Sequence, residues 1–193
     1  IRNGVFVMRM TDLAERLRAD VDVLEFEWGT PVIVDQVKEK LAEKSYKIVA
    51  VVHAETSTGV MNPVAQIGEL MKDNDALFLV DCVTSLGGIP VSTDEWNVDA
   101  IYSGTQKCLS CPPGLAPVSF SDKAVDVIRS RKTKVPNWYL DLTMIIDYWD
   151  GASRAYHHTA PINMLYGLYA ALGVVLDEGL DNVYARHKSA HDA

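Results

Sequence analysis

Apolar residues along this chain alternate between two kinds of spacing. Lys47 to His53 contains Ile48-Val-Ala-Val-Val52, β-branched and almost wholly apolar, which predicts a parallel strand covered on both faces. Leu77-Phe-Leu-Val80 and Asp99 to Ser103 predict two further buried strands, and Pro117 to Phe120 a return strand. Between them, Val64, Ile67, Leu70 and Met71 recur at helical spacing, predicting a helix over 64–73. Val34 to Lys44 has the charge pattern of a surface helix, Asp122 to Arg131 reads as a helix, and Trp138 to Trp149 is aromatic-rich and helical in part. Leu165, Leu168, Tyr169, Leu172, Val175 and Leu176 predict an amphipathic helix. It starts at Thr159-Ala-Pro161, with proline in the first turn, and ends at Gly179.

The N-terminal pattern is less regular. Ile1 to Phe6 predicts a short strand interrupted by Asn3-Gly4. Thr11 to Arg18 predicts a helix with Thr11 as its cap and Glu15 near the third position. Val21, Val23 and Phe26 against Asp22 and Glu25 predict another strand. Strands alternating with amphipathic helices argue for an α/β fold with a mainly parallel sheet. With no repeats, linkers or low-complexity segments, residues 1–193 read as one domain.

Candidate chemistry gathers where the strands end. Asp99-Ala-Ile-Tyr-Ser-Gly-Thr-Gln-Lys107 runs from an apolar strand to one lysine, and Pro112, Pro113 and Gly114 then turn the backbone. A lysine seated there can lose hydration and act as an amine nucleophile toward an aldehyde. Taken alone it reads far more readily as an exposed loop lysine. Asp81, which closes the run Leu77 to Val80, changes the balance. A lysine for an aldehyde and an aspartate for a ring nitrogen are the protein groups that pyridoxal phosphate requires. In open α/β sheets ligands sit outside the carboxyl ends of the strands, and Thr56, Asp81 and Lys107 each follow such an end.

Composition narrows the partners. A net charge of −8 with no basic stripe argues against nucleic acid. No apolar run is long enough to span a membrane and no signal-peptide pattern is present. Three cysteines cannot all pair, which suits a reducing compartment such as the cytoplasm. Cys108-x-x-Cys111 lacks the second pair that a zinc site needs. His157 and His158 are adjacent, so their side chains are expected to diverge rather than share a metal, and no metal site is assigned. Dinucleotide and P-loop glycine patterns are absent.

The pattern Asp99-x-x-Tyr-Ser-Gly-Thr-Gln-Lys107-x6-Gly114-x-Ala116 resembles the lysine signature of class V aminotransferases, within fold-type I of the pyridoxal phosphate enzymes. Asn3-Gly-Val-Phe6, His53-Ala-Glu-Thr-Ser-Thr-Gly59, Val80-Asp-Cys-Val-Thr-Ser-Leu-Gly-Gly88 and Arg154-Ala-Tyr-His-His-Thr159 agree. They look most like the alanine–glyoxylate and serine–pyruvate branch. The resemblance implies a three-layer α/β/α large domain. It further implies transamination of alanine or serine with glyoxylate or pyruvate, pyridoxal 5′-phosphate as cofactor, and a homodimer.

The same resemblance implies the roles. Lys107 forms the Schiff base and moves the α-proton, and Asp81 holds the pyridine nitrogen protonated. Thr56 hydrogen-bonds near the phenolic oxygen, Phe6 and Val83 pack on the two ring faces, and Gln106 reaches the phosphate. Tyr156 and Thr159 reach the phosphate of the other subunit. Blander roles stand beside these: a helix cap for Asp81, a turn hydroxyl for Thr56, core packing for Phe6 and Val83, an N-cap for Thr159.

Two departures from the family pattern stand out. Val7 replaces a frequent glycine and is expected to crowd a tight turn, and Ala54 replaces another. Ile1 follows no methionine and 183–193 still reads as helix, so a fragment is expected. The resemblance would place an N-terminal phosphate loop before it and a C-terminal domain after it. Competing functions are a class V lyase or desulfurase, whose relatives tend to carry histidine where Gln106 stands, and a cofactor-free α/β interaction domain.

Overall fold

The computed structural model describes residues 1–150 and 155–193; Arg154 of the last block above lies outside the described residues. Helix α1 spans Val5–Arg16 and α2 Val34–Glu43, followed by strand β1, Ile48–Val52. A small hairpin, β2 (Ala54–Glu55) and β3 (Val60–Met61), leads to helix α3, Val64–Met71. Strands β4 (Leu77–Asp81), β5 (Ala100–Tyr102) and β6 (Val118–Phe120) complete the main sheet. Helix α4 is Asp122–Arg129. After a single 3-10 turn at Trp138–Leu140 come α5 (Leu142–Asp150), α6 (Ile162–Glu178) and α7 (Leu180–Asp192).

The sheet order is β1-β4-β5-β6, with β1, β4 and β5 parallel and β6 antiparallel at the edge. This is the mainly parallel α/β architecture that the alternating pattern predicts. On one face Val49, Val51, Phe78, Val80 and Ile101 pack with Val64, Ile67 and Met71 of α3 and Val37 of α2. Phe78 is the bulkiest of the fully buried side chains. Strand β4 sits between two partners, so its register sets that of the layer: Val52 lies opposite Asp81, and Asp81 opposite Tyr102.

A buried carboxylate pins the opposite edge of the sheet. Asp99 accepts from Phe78 N at 2.9 Å and from Ser121 Oγ at 2.7 Å, and Lys123 Nζ lies 3.5 Å from it. Ser121 Oγ in turn accepts from Ala124 N at 3.1 Å, capping α4. One aspartate thus aligns the start of β4, the start of β5 and the helix after β6.

The N-terminal expectations need correction. Phe6 lies in the first turn of α1, not on a strand, and Thr11 is inside that helix, its Oγ1 donating to Val7 O at 2.9 Å. Strand pairing over 1–6 and 21–26 shrinks to one parallel bridge, Arg2 with Glu25. The helix starts early because its N-terminus is held by residues some fifty positions away, as described below. Val7 occupies the buried face of α1, 2% exposed, so it fills core and crowds no turn. The apolar series on α6 also behaves differently from expectation. Val175 is buried, but Leu165, Tyr169, Leu172 and Leu176 are exposed, since no described element of this chain covers that face. The helix begins at Pro161 without a side-chain cap, and Gly179, at φ 81°, makes the sharp step into α7. Among the described residues no helix is long and apolar enough to cross a membrane.

Just past β1, His53 is buried edge-on against Trp96, with ring centroids 5.3 Å apart and its Nδ1 without a partner. Burial lowers its pKa from 6.5 to about 4. A base held neutral by the fold contributes stability above pH 6.5, and that contribution is lost as pH falls toward 4, by up to about 3 kcal/mol. Melting curves between pH 7 and 4 should therefore show a smaller acid loss for His53→Phe, which keeps a ring beside Trp96, than for the wild type. Parallel losses in the two proteins would contradict this assignment.

Candidate active site

Three neighbouring strands end on one edge of the sheet, and the candidate residues follow from how each continues. Asp81 is the last residue of β4, 7% exposed. Its Oδ1 accepts from Val83 N at 2.8 Å and its Oδ2 from Tyr102 Oη at 2.7 Å. The backbone on either side is fixed too: His53 N donates to Asp81 O, and Cys82 N to Tyr102 O. Burial pushes the Asp81 carboxyl above the ordinary aspartate range. The two hydrogen bonds work against that push, and the charge of Glu55 adds slightly to it. Among the described residues no lysine, arginine or histidine forms an ion pair with it. Two hydrogen bonds leave a carboxylate with acceptor capacity to spare. A buried anion of this kind suits a cationic N–H from a ligand.

Lys107 is half-buried on the loop after β5. That loop is cross-braced. Thr105, fully buried, donates through Oγ1 to Pro112 O at 2.8 Å, Cys111 N donates to Thr105 O, and Ser110 N donates to Lys107 O. Cys108 Sγ reaches Thr84 O at 3.3 Å and ties the loop to the exit of β4. Burial raises the Cys108 thiol, which keeps it from being a ready nucleophile. Among the described residues no group of three or more His, Cys, Asp or Glu side chains could hold a metal ion.

Between the two strand exits the chain packs closely at Gly104. A Cβ built on Gly104 would stand 2.8 Å from Gln106 Oε1 and 3.4 Å from Val83 Cγ1, so Gln106 and Val83 meet over a residue that has to be small. Thr56, exposed on the turn of the β2–β3 hairpin, has its Oγ1 3.4 Å from that of Thr84, whose hydroxyl donates to Ala54 O at 2.6 Å. Phe6 is half-buried near the start of α1, and the Arg9 guanidinium sits over its ring, 5.3 Å from the centroid. Asp81, Val83, Thr56, Gln106 and Lys107 are thus gathered on loops that touch one another.

Tyr156 and Thr159 stand apart. Tyr156 is 73% exposed, and its hydroxyl and the Thr159 Oγ1 are 2.8 Å from each other. Thr159 does not cap α6. The neighbouring histidines do not diverge as expected. The segment is irregular rather than a strand, so His157 Nδ1 and His158 Nδ1 come within 2.8 Å, and the His157 ring stacks on Trp138 at 4.5 Å.

Two residues quoted in the sequence blocks without a role prove central. Tyr102 lies opposite Asp81 in the parallel register, which sequence spacing alone does not show; burial and the Asp81 carboxylate both push its hydroxyl above the ordinary tyrosine range. Glu55 is 1% exposed and accepts three hydrogen bonds. Its Ser57 partner lies two residues on, but the Phe6 N–H is 49 residues away, which sequence spacing does not show.

The family model described as aminotransferase class V matches residues 6–193. The chain is 40% identical to the (S)-ureidoglycine–glyoxylate transaminase of Bacillus subtilis, the alignment covering 98% of this chain and 50% of that protein. It is 39% identical to the alanine–glyoxylate aminotransferase of Mus musculus, over 97% of this chain and 46% of the relative. The crystal structure of an alanine–glyoxylate aminotransferase from Nostoc sp. superposes with a TM-score of 0.95 at 43% identity, covering 99% of this chain and 50% of that one. The chain therefore spans about half the length of the relatives it matches.

The raised Asp81 carboxyl sets a sign. An acid whose folded pKa is raised contributes stability at low pH, and that contribution is lost as pH rises through the folded value. Once ionised, the buried Asp81 is a burden on the cofactor-free fold. Asp81→Asn, free of cofactor, should melt no lower than the wild type at pH 7, with any advantage shrinking as the wild-type carboxyl protonates. Thermal denaturation across that range reads it directly. A variant that melts well below the wild type at pH 7 would show Asp81 to be a structural cap.

Proposed function

The chain belongs to the class V aminotransferase family, and on that premise we propose that it carries the pyridoxal phosphate site of a glyoxylate-using transaminase. The observation that carries this reading is Asp81: a buried carboxylate with no ion-pair partner among the described residues, at the carboxyl edge of β4, beside the strand that leads to Lys107. Relatives named for different amino donors, alanine and ureidoglycine, share glyoxylate in their names, which supports glyoxylate as acceptor more strongly than any donor. Alanine and serine remain the proposed donors and pyruvate the alternative acceptor.

Bound at this site, pyridoxal phosphate supplies an aldehyde that condenses with amines and a protonated pyridine ring that draws electrons from the substrate's α-carbon. The protein's part follows from its own groups. Lys107 Nζ would be the group that holds the cofactor covalently, and as a free amine it would take the proton from the substrate's α-carbon. Asp81 would keep the proton on the ring nitrogen through a charge-assisted hydrogen bond, and Tyr102 Oη and Val83 N hold the carboxylate in orientation. Phe6 and Val83 would pack on the ring faces, Thr56 would donate toward the phenolic oxygen, and the Gln106 amide would donate to the phosphate.

Tyr156 and Thr159 are assigned to the phosphate of a second copy. Their hydroxyls are exposed and bonded to each other rather than to this chain's Lys107 loop. The exposed apolar side of α6 supports the same homodimer, since a surface of that kind marks an interaction site.

Two measurements on the full-length protein test the reading. Borohydride reduction should fix the cofactor's mass on Lys107 in the wild type and on nothing in Lys107→Ala, with turnover falling by about 10²–10⁴-fold or more. A Lys107→Ala protein that keeps both would refute the role. Mixing a Lys107→Ala subunit with a Tyr156→Phe/Thr159→Ala subunit should restore one intact site per heterodimer. Verified heterodimers without that recovery would assign the two hydroxyls to their own subunit.

A further inference from the structure

Helix α1 is completed by side chains from elsewhere in the chain. It has no side-chain cap and no acidic residue in its first turn, so its leading N–H groups and the positive end of its dipole need outside partners. They find them on the β2–β3 hairpin. Phe6 N donates to Glu55 Oε2 at 3.1 Å and Val5 N to Ser57 Oγ at 3.0 Å. Ser57 closes the arrangement by donating to Glu55 Oε1 from its backbone N at 3.0 Å and its hydroxyl at 2.7 Å. Gly4 makes room: a Cβ there would stand 2.3 Å from Glu55 Cγ and 2.4 Å from Cδ.

A buried carboxylate is a costly cap. Desolvating the ion costs several kcal/mol, whereas a serine or aspartate at the helix's own N-cap position would supply the same bond from the surface. What the distant cap provides is position. It joins the backbone N–H of Phe6 to the residue next to Thr56, and Thr56 in turn meets Thr84, three residues past Asp81. The N-terminal helix, the hairpin turn and the exit of β4 are linked through this one side chain.

We propose that Glu55 is a positioning residue of the cofactor site, holding Phe6 at a fixed distance from the Thr56 hairpin and so setting the slot in which a planar ring stacks. This rests on the functional reading above. Glu55 touches neither substrate nor cofactor; it acts through the Phe6 backbone. Replacing it by glutamine keeps the shape but turns one acceptor oxygen into an NH₂ group. That group must then face Phe6 N or the two Ser57 donors, so part of the clamp opens.

The experiment is a double-mutant cycle on the affinity of the full-length protein for pyridoxal phosphate, comparing wild type, Glu55→Gln, Phe6→Ala and the double variant. It is read beside hydrogen exchange at the amides of Val5 and Phe6. Expected are about tenfold weaker cofactor binding for each single variant, equivalent to about 1.4 kcal/mol, and a double variant no weaker than the worse single one. Exchange at Val5 and Phe6 should quicken in Glu55→Gln while that of Phe78 in β4 stays slow. A generally damaged fold would instead give additive losses and faster exchange throughout, which overturns the proposal, as does Glu55→Gln binding like the wild type. Should Glu55→Gln fail to fold, Ser57→Ala, at an exposed position, enters the same cycle with the same expectation and the same refuting outcomes. A wild-type protein that binds no cofactor would bring down the functional reading, and this inference with it. Normal wild-type binding with an additive cycle brings down this inference alone.

Discussion

The register of β4 depends on a carboxylate that faces away from the candidate chemistry. Asp99 takes the N–H of Phe78 and the hydroxyl of Ser121 in a buried setting, aligning the start of β4 with the start of β5 and with the helix that follows β6. In a parallel pair a slip of one residue exchanges the two faces. It would turn Phe78 and Val80 away from α3 and carry Asp81 away from Tyr102. The strand is rigid because its inner face is closely packed. Fixing Phe78 therefore fixes Asp81, three residues on, where it meets Tyr102 and Val83.

At that far end the structure holds a second carboxylate, and its circumstances are opposite. Asp99 has an ion-pair partner in Lys123, and among the described residues Asp81 has none. The first reads as architecture, satisfied within the fold. The second reads as a group kept in readiness, raised by burial and steadied by two donors that do not neutralise it. This contrast between two aspartates on neighbouring strands separates scaffold from site more clearly than exposure does, since both are 7% exposed.

How much of this was legible beforehand depended on the range of the interactions. Strands β1, β4 and β5 and helices α2, α3 and α4 follow from local periodicity, because their apolar positions match what each element buries. Lys107 and Asp81 could be singled out because each follows a recognisable strand. The misreadings share a cause. The apolar residues of 1–6 predict a strand, and nothing within ten residues announces the acceptors that Glu55 and Ser57 supply to a helix there. Tyr102 carries no local signal of its contact, because its partner lies 21 residues away across a strand pair whose register the sequence does not state. The uncovered side of α6 could not be foreseen either: periodicity shows that a helix has an apolar face, but not whether the same chain covers it.

The long-range completion of α1 also bears on the order in which the molecule can be made. Phe6 and its acceptor are separated by 49 residues. During synthesis at about 5–20 residues per second, roughly 2–10 seconds pass between the two leaving the ribosome's peptidyl-transfer centre. Throughout that interval α1 is a twelve-residue helix with an uncapped N-terminus, a length at which isolated helices are only marginally stable in water. That segment therefore waits as a largely unformed chain until β1 and the hairpin have emerged. Helix α1 settles only after an element that follows it in the sequence has been made.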